Sequence, residues 1–182
     1  ITLMLTSMAV VREKEIGTME QIMVTPITSV EFILGKTVPF ALIGFADVVL
    51  ITVLGVFWFD VPIRGSLLLL FVATALYLLT TLAIGLFIST VSQTQQQAMM
   101  STFFFYFPAV LLSGFMFPIA NMPVVVQWLT YLNPLRYFLV IVRGVFLKGV
   151  GPDVLWPQMI ALAVMGRVAL WLAAKRFRKT LA

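Results

Sequence analysis

The sequence predicts an all-α fold, a polytopic bundle of transmembrane helices. Three observations carry that expectation. The chain is 62% hydrophobic and only 10% charged, where an ordinary soluble domain carries about 25% charged residues. Its mean hydropathy is +1.09. Several apolar runs approach or exceed the roughly 20 residues that cross a bilayer, and none shows the strict two-residue alternation of a barrel strand. One such run could be a buried core helix, but a series of them argues against a soluble protein. Lipid offers no water to the backbone, so runs of this kind must be helical.

The elements follow in order. Residues 1–11, ITLMLTSMAVV, are apolar but too short to span. They lack a charged leading flank and a small-residue cleavage site, so they do not resemble a signal peptide. They read as the last half of a span, and the chain as the C-terminal portion of a larger permease-like protein or a truncated gene product. Residues 12–36, REKEIGTMEQIMVTPITSVEFILGK, interrupt the apolar sequence with charge. Glu13 and Glu15 suit the positive end of a short helix starting there, and Ile16, Met19 and Met23 recur at helical spacing. Thr25-Pro26 should end it, and Thr28 or Ser29 can cap the next helix. Residues 37–117 hold three spans, 37–59, 66–89 and 98–117, separated by the turn DVPIRG and the polar loop SQTQQQ. Residues 118–152 are mixed, with two short apolar helices broken at Asn133-Pro134. Each is short for a span. They fit helices that re-enter from one side, the rival being one irregular crossing from 124 to 145. Residues 153–174 form the last span, and 175–182, beginning KRFRK, a basic tail.

The formal charge is +5 and the pI about 9.9. The basic residues stand beside apolar runs, which points to membrane orientation rather than to nucleic acid. Arg12, Lys14, Lys36 and the KRFRK tail belong to one side, Arg64, Arg136, Arg143 and Lys148 to the other. The first set is larger and should face the cytoplasm. The multi-pass chain then has a cytoplasmic C-terminus, provided that 118–152 does not cross. Trp128, Tyr131 and Tyr137 suit an interfacial belt.

The chain has no cysteine and no histidine. That excludes disulfides, zinc sites with Cys or His ligands, and His-based triads. No phosphate-cradling glycine loop followed by Lys and Ser or Thr is present, no Gly-x-Ser-x-Gly elbow and no dinucleotide fingerprint. The chain should bind no cofactor and no metal, and should not be an enzyme. Two polar groups lie inside apolar runs. Asp47 either lines a pathway or is held neutral within the bundle. Arg167 either snorkels to the interface or pairs with an internal carboxylate such as Asp47. The glutamine patch at Gln93 and Gln95 to Gln97 is a solvated turn or a second docking contact, and Ser101 and Thr102 can pack helices.

The stretch from Arg12 to Lys36 resembles the cytoplasmic elbow of ABC-2 type transporter permeases, the membrane subunits of one class of ATP-driven exporters. The charged REKE, the GTMEQ and the TP carry the likeness. LLSGFMFPIANMP, residues 111–123, and LNPLRYFLVIVRGVFLKG, residues 132–149, resemble the family's outer region. The likeness covers essentially the whole chain and is greatest for the bacterial multidrug-efflux-like subgroup, whose membrane domain has a type V exporter-like fold. It implies a permease subunit that moves a hydrophobic or amphipathic substrate, drug-like or lipid-like, across the bacterial inner membrane. It implies that Arg12, Glu13, Lys14, Glu15, Gly17, Thr18, Glu20, Gln21, Thr25 and Pro26 form a coupling helix against a separate ABC ATPase subunit. ATP and Mg would sit on that partner. A second permease subunit, identical or different, would complete the assembly. Gly114, Pro118, Asn133, Pro134, Arg136 and Tyr137 would belong to an external gate. The alternative is a non-transporting membrane scaffold or an inactive fragment of a truncated gene. A membrane enzyme with its site near Arg136 and Arg143 lacks the acids or nucleophiles it would need.

Overall fold

A computed structural model describes residues 1–17 and 29–180. Within them the chain is helical: α1 (Thr2–Ile16), α2 (Ser29–Phe57), α3 (Leu67–Val91), α4 (Gln95–Leu111), α5 (Val124–Thr130), α6 (Pro134–Arg143) and α7 (Pro152–Thr180). A 3-10 turn at Ile119–Asn121 precedes α5, and a single π turn, Gly144–Lys148, prolongs α6. Among the described residues, three helices are long and apolar enough to cross a membrane: Ile33–Phe57, Leu67–Val91 and Pro152–Arg176.

α3 is the centre of the bundle. It packs against α7 most extensively, then α1, and also touches α2, α4 and α6. Lipid tails are as apolar as leucine, so burial alone does not draw membrane helices together. Close approach does, and small residues on α3 permit it. Gly85 meets α1 so closely that a Cβ there would stand 2.9 Å from Thr6 Cβ and 3.0 Å from the Leu3 carbonyl oxygen. On the other flank, a Cβ on Gly166 of α7 would meet Thr80 Oγ1 at 2.9 Å. The Thr80 hydroxyl donates to the Leu76 oxygen at 2.9 Å and lies 3.1 Å from the Leu162 oxygen of α7. Thr102 of α4 binds the Ala98 oxygen and Ser7 Oγ of α1, both at 2.8 Å. Each hydroxyl is satisfied by its own helix while it touches another.

Four boundaries differ from the sequence expectation. α1 does not stop at Val11. It runs on to Ile16, because Arg12 to Glu15 are good helix formers, and it ends at Gly17, whose φ of 82° favours glycine. The charged motif is therefore the last turn of α1 and not the start of a new helix. α2 begins at Ser29, where a helix cap was expected, so the span expected from 37 is entered within one continuous helix that carries Pro39. α4 ends at Leu111, short of 117, where the chain turns through Gly114 at φ 80°. The KRFRK segment continues α7 to Thr180 rather than forming a separate tail.

The Asn133-Pro134 break is a sharp one: α5 and the unit Pro134–Lys148 are bent by 81°. Phe138 stacks on Tyr77 with centroids 4.4 Å apart, ten residues into α3 and so about 15 Å from its first residue. From there α6 climbs antiparallel to α3. Ile141, Val145 and Leu162, all fully buried, join Leu69, Leu70, Ala73 and Leu155 in the main core. At the end of the climb the Val145 oxygen accepts from Gly65 N at 2.9 Å.

The close contacts set a test. Gly85→Ala should lower stability in detergent by about 1–3 kcal/mol through overpacking against α1. Gly35→Ala, at a helical site with nothing within 4 Å of the added carbon, should be neutral or stabilising. Thermal unfolding of both variants checks this.

Candidate functional site

The charged end of α1 forms a clamp on three other helices. Lys36 Nζ of α2 donates to Glu13 Oε1 at 2.5 Å. Lys14 Nζ donates to the Thr90 carbonyl oxygen at 3.1 Å. Glu15 Oε2 accepts from Gln95 N at 3.1 Å and Gln95 Nε2 at 2.9 Å. One residue after another, the motif holds α2, α3 and α4. A further bond lies beneath them: Val11 N donates to Ser89 Oγ of α3 at 3.0 Å.

Each side chain suits the helix end that it meets. The last carbonyls of a helix have no partner within it, and the end carries partial negative charge. Thr90 belongs to the last turn of α3, and Lys14 supplies the cation. The first amides of a helix are likewise open and partly positive. Gln95 opens α4, and Glu15 supplies the carboxylate. Thr94 caps the same end by accepting from Gln97 N, while Gln97 Oε1 accepts from Gln93 N at 2.8 Å. The glutamine patch is thus a capping turn fastened to α1. Burial pushes the half-buried Lys14 ammonium below its ordinary 10.5. The Gln95 side chain, then its backbone amide, holds the Glu15 carboxyl below its ordinary 4.5.

Arg12 is exposed and Gly17 closes the helix, its amide donating to the Lys14 oxygen at 3.3 Å. Thr18, Glu20, Gln21, Thr25 and Pro26 lie outside the described residues, as do Met19 and Met23 of the apolar stripe.

The residues read as an outer gate lie away from the clamp, those at the start of α6 about midway along α3. Asn133 caps α6 by accepting from Leu135 N at 3.1 Å, and its Nδ2 donates to the Ala109 oxygen of α4 at 2.6 Å. Pro134 takes the first helical position, where no amide is needed. Arg136 bonds Thr130 Oγ1 and lies 4.1 Å over the Tyr131 ring. The Tyr137 hydroxyl donates to the Tyr131 oxygen at 2.8 Å. Gly114 offers its oxygen to Arg143 at 3.2 Å, and Pro118 opens the 3-10 turn. Arg136 and Tyr137 thus fold the start of α6 back onto α5.

Asp47 and Arg167 are not brought together, and no hydrogen bond or ion pair joins either to a described residue. Nearby Gly44 packs on Leu78, and Gly166 on Thr80. Both polar residues therefore stand beside the middle of α3, on different flanks of it. Arg167 lies deeper than its sequence distance from KRFRK suggested, since α7 continues past that segment. Among the described residues no three acidic side chains gather as metal ligands. The Lys14, Thr90, Ser89 and Gln95 contacts escaped sequence reasoning; only the hydroxyls and glutamines flanking a turn marked the place.

The described residues thus form a helical membrane bundle with a charged clamp at one end of α1 and, away from it, a helix pair bent by 81°. The chain belongs to the ABC-2 type transporter family, whose model matches residues 1–147. It is 42% identical to the probable multidrug ABC transporter permease YbhS of Escherichia coli K12 over 176 residues, covering 94% of this chain and 47% of that protein. It is 37% identical to the probable multidrug ABC transporter permease YbhR of the same strain over 171 residues, covering 92% and 46%. The inner membrane transport permease YhhJ is 32% identical over 187 residues, covering 100% and 49%. The chain spans about half the length of these curated relatives.

Two outcomes follow from the clamp. A double-mutant cycle of Glu13→Ala and Lys36→Ala should give a coupling of about 0.5–1 kcal/mol, as expected of a partly exposed pair. Glu15 stabilises the fold above its unfolded pKa, and the contribution is lost as pH falls through the depressed folded value, below about 4.5. Gln95→Ala should raise the Glu15 titration midpoint toward 4.5, read by carbon NMR of the carboxyl group.

Proposed function

We propose that this chain is the membrane-spanning part of an ATP-driven export permease of the inner membrane. It moves a hydrophobic or amphipathic compound, and ATP hydrolysis, with ATP and Mg, belongs to a separate ABC ATPase subunit or domain. A second permease subunit completes the pathway. The multidrug names of YbhS and YbhR support the cargo class. The reading rests above all on the clamp: Glu13, Lys14 and Glu15 join α1 to α2, α3 and α4 in the turn preceding Gly17.

The mechanism follows from that arrangement. The elbow around Thr18, Glu20, Gln21, Thr25 and Pro26 receives the partner. Arg12, exposed near the end of α1, supplies a cation for that contact. Movement of the elbow reaches the end of α1, and the three bonds carry it into the other helices together. The bundle then shifts between its inward-open and outward-open states as a packed unit. The clamp end carries the richer set of Lys and Arg, which supports a cytoplasmic position for it. The bent pair α5 and α6 then closes the outer end.

The test uses the full-length chain co-expressed with a candidate ABC ATPase subunit. Glu20→Lys should lose ATPase recovery on pull-down. Glu13→Lys combined with Glu15→Lys should keep the ATPase bound, yet lose most of the permease-dependent change in its turnover. Folded chain that recovers no ATPase, wild type included, would sink the reading and favour a non-transporting scaffold.

A further inference from the structure

At the end of the bundle away from the clamp, a cavity of about 380 Å³ lies between α2, α3, α6 and the π turn. That volume is within the range of small-ligand sites, roughly 300–1,000 Å³. Val48, Ile51 and Gly55 of α2 form one wall, and Phe138, Val142 and Arg143 of α6 face them. From Gly55 to Val48 the lining runs about 10 Å along α2. Arg143 is the one charged residue among the lining side chains.

We propose that this cavity holds one anionic phospholipid, an acyl chain inside and the phosphate on Arg143. Charge and position both point there. A guanidinium has five donors, and Arg143 uses one, toward the Gly114 oxygen; no other described residue engages it. It sits at the end of α6, level with the turn that closes α4, while the apolar lining leads inward. A headgroup at the interface with its tail in the bundle has that same polarity. The wall also continues into exposed apolar surface on the same helices: Leu50, Ile51 and Leu54 of α2, Val140 of α6 and Leu147 of the π turn. Phe57, Trp58 and Phe59, exposed where α2 ends, mark an aromatic interface. Lipid therefore reaches the cavity sideways from that exposed surface.

The experiment is native mass spectrometry of the delipidated full-length chain, titrated with dioleoylphosphatidylglycerol. Dioleoylphosphatidylethanolamine and inorganic phosphate serve as comparison ligands. One saturable phosphatidylglycerol adduct is expected, with phosphatidylethanolamine about tenfold weaker. Arg143→Gln should raise Kd by about the same factor, and Arg143→Lys should restore much of the binding. Gly55→Trp, which fills the cavity, should remove the adduct. Arg136→Gln, whose side chain is committed to Thr130 and Tyr131, should leave it, and helical circular dichroism confirms each fold. Equal affinity for both lipids, or an adduct indifferent to Arg143→Gln and Gly55→Trp, would overturn the proposal. So would displacement by inorganic phosphate, which would make Arg143 an anion site alone. Absence of any adduct would also overturn it, the cavity then being filled by another segment or a second copy.

Discussion

Close backbone contact along α3 is the constraint on which the rest depends. α1 and α7 approach its two flanks at Gly85 and Gly166, where a single added carbon would collide with a neighbour. In lipid there is little hydrophobic force to hold apolar helices together, so contact distance and satisfied hydroxyls must do it. Thr80, Thr102 and Ser7 meet that need at mid-depth.

At one end the result is a clamp that reads helix polarity. α3 finishes and α4 starts within a few residues, so a negative and a positive helix end lie side by side. Lys14 and Glu15 are adjacent in sequence and opposite in sign, and each meets the end that attracts it. Their order matters: exchanging the two would put like charge on both ends. Away from that clamp, Asn133 fixes the bend between α5 and α6 by capping one helix while bonding the last turns of α4. Each place is thus organised by side chains that satisfy open helix termini, one with charge and one with an amide.

The helical class, the apolar spans and the break at Asn133-Pro134 were legible because they depend on composition and on proline. The likeness of REKE and GTMEQ to a family elbow located the charged end. It did not reveal that Glu13 and Glu15 bond to other helices, since pairs 23 and 80 residues apart leave no local trace. The limit of α1 was misplaced for a related reason. Charge was read as a break, although Arg, Glu and Lys continue a helix readily and only Gly17 stops it. Arg167 appeared shallow while KRFRK was treated as a tail. As part of α7, the same residues put Arg167 beside the middle of α3.

Unequal helix lengths give the bundle a thickness problem of its own. α4 has 17 residues, about 25 Å of helix, whereas the apolar stretch of α3 has 25, about 37 Å. A hydrocarbon layer of roughly 30 Å fits neither. α3 must tilt within it, while the bilayer thins or is replaced by protein along α4. Where the bilayer thins there, the exposed phenylalanines of α4, Phe103, Phe104, Phe105 and Phe107, border its thinnest part. The energy of the bundle consequently varies with acyl-chain length from one side to the other. Membranes of different composition would weight its tilted forms differently, with no change in any contact inside the protein.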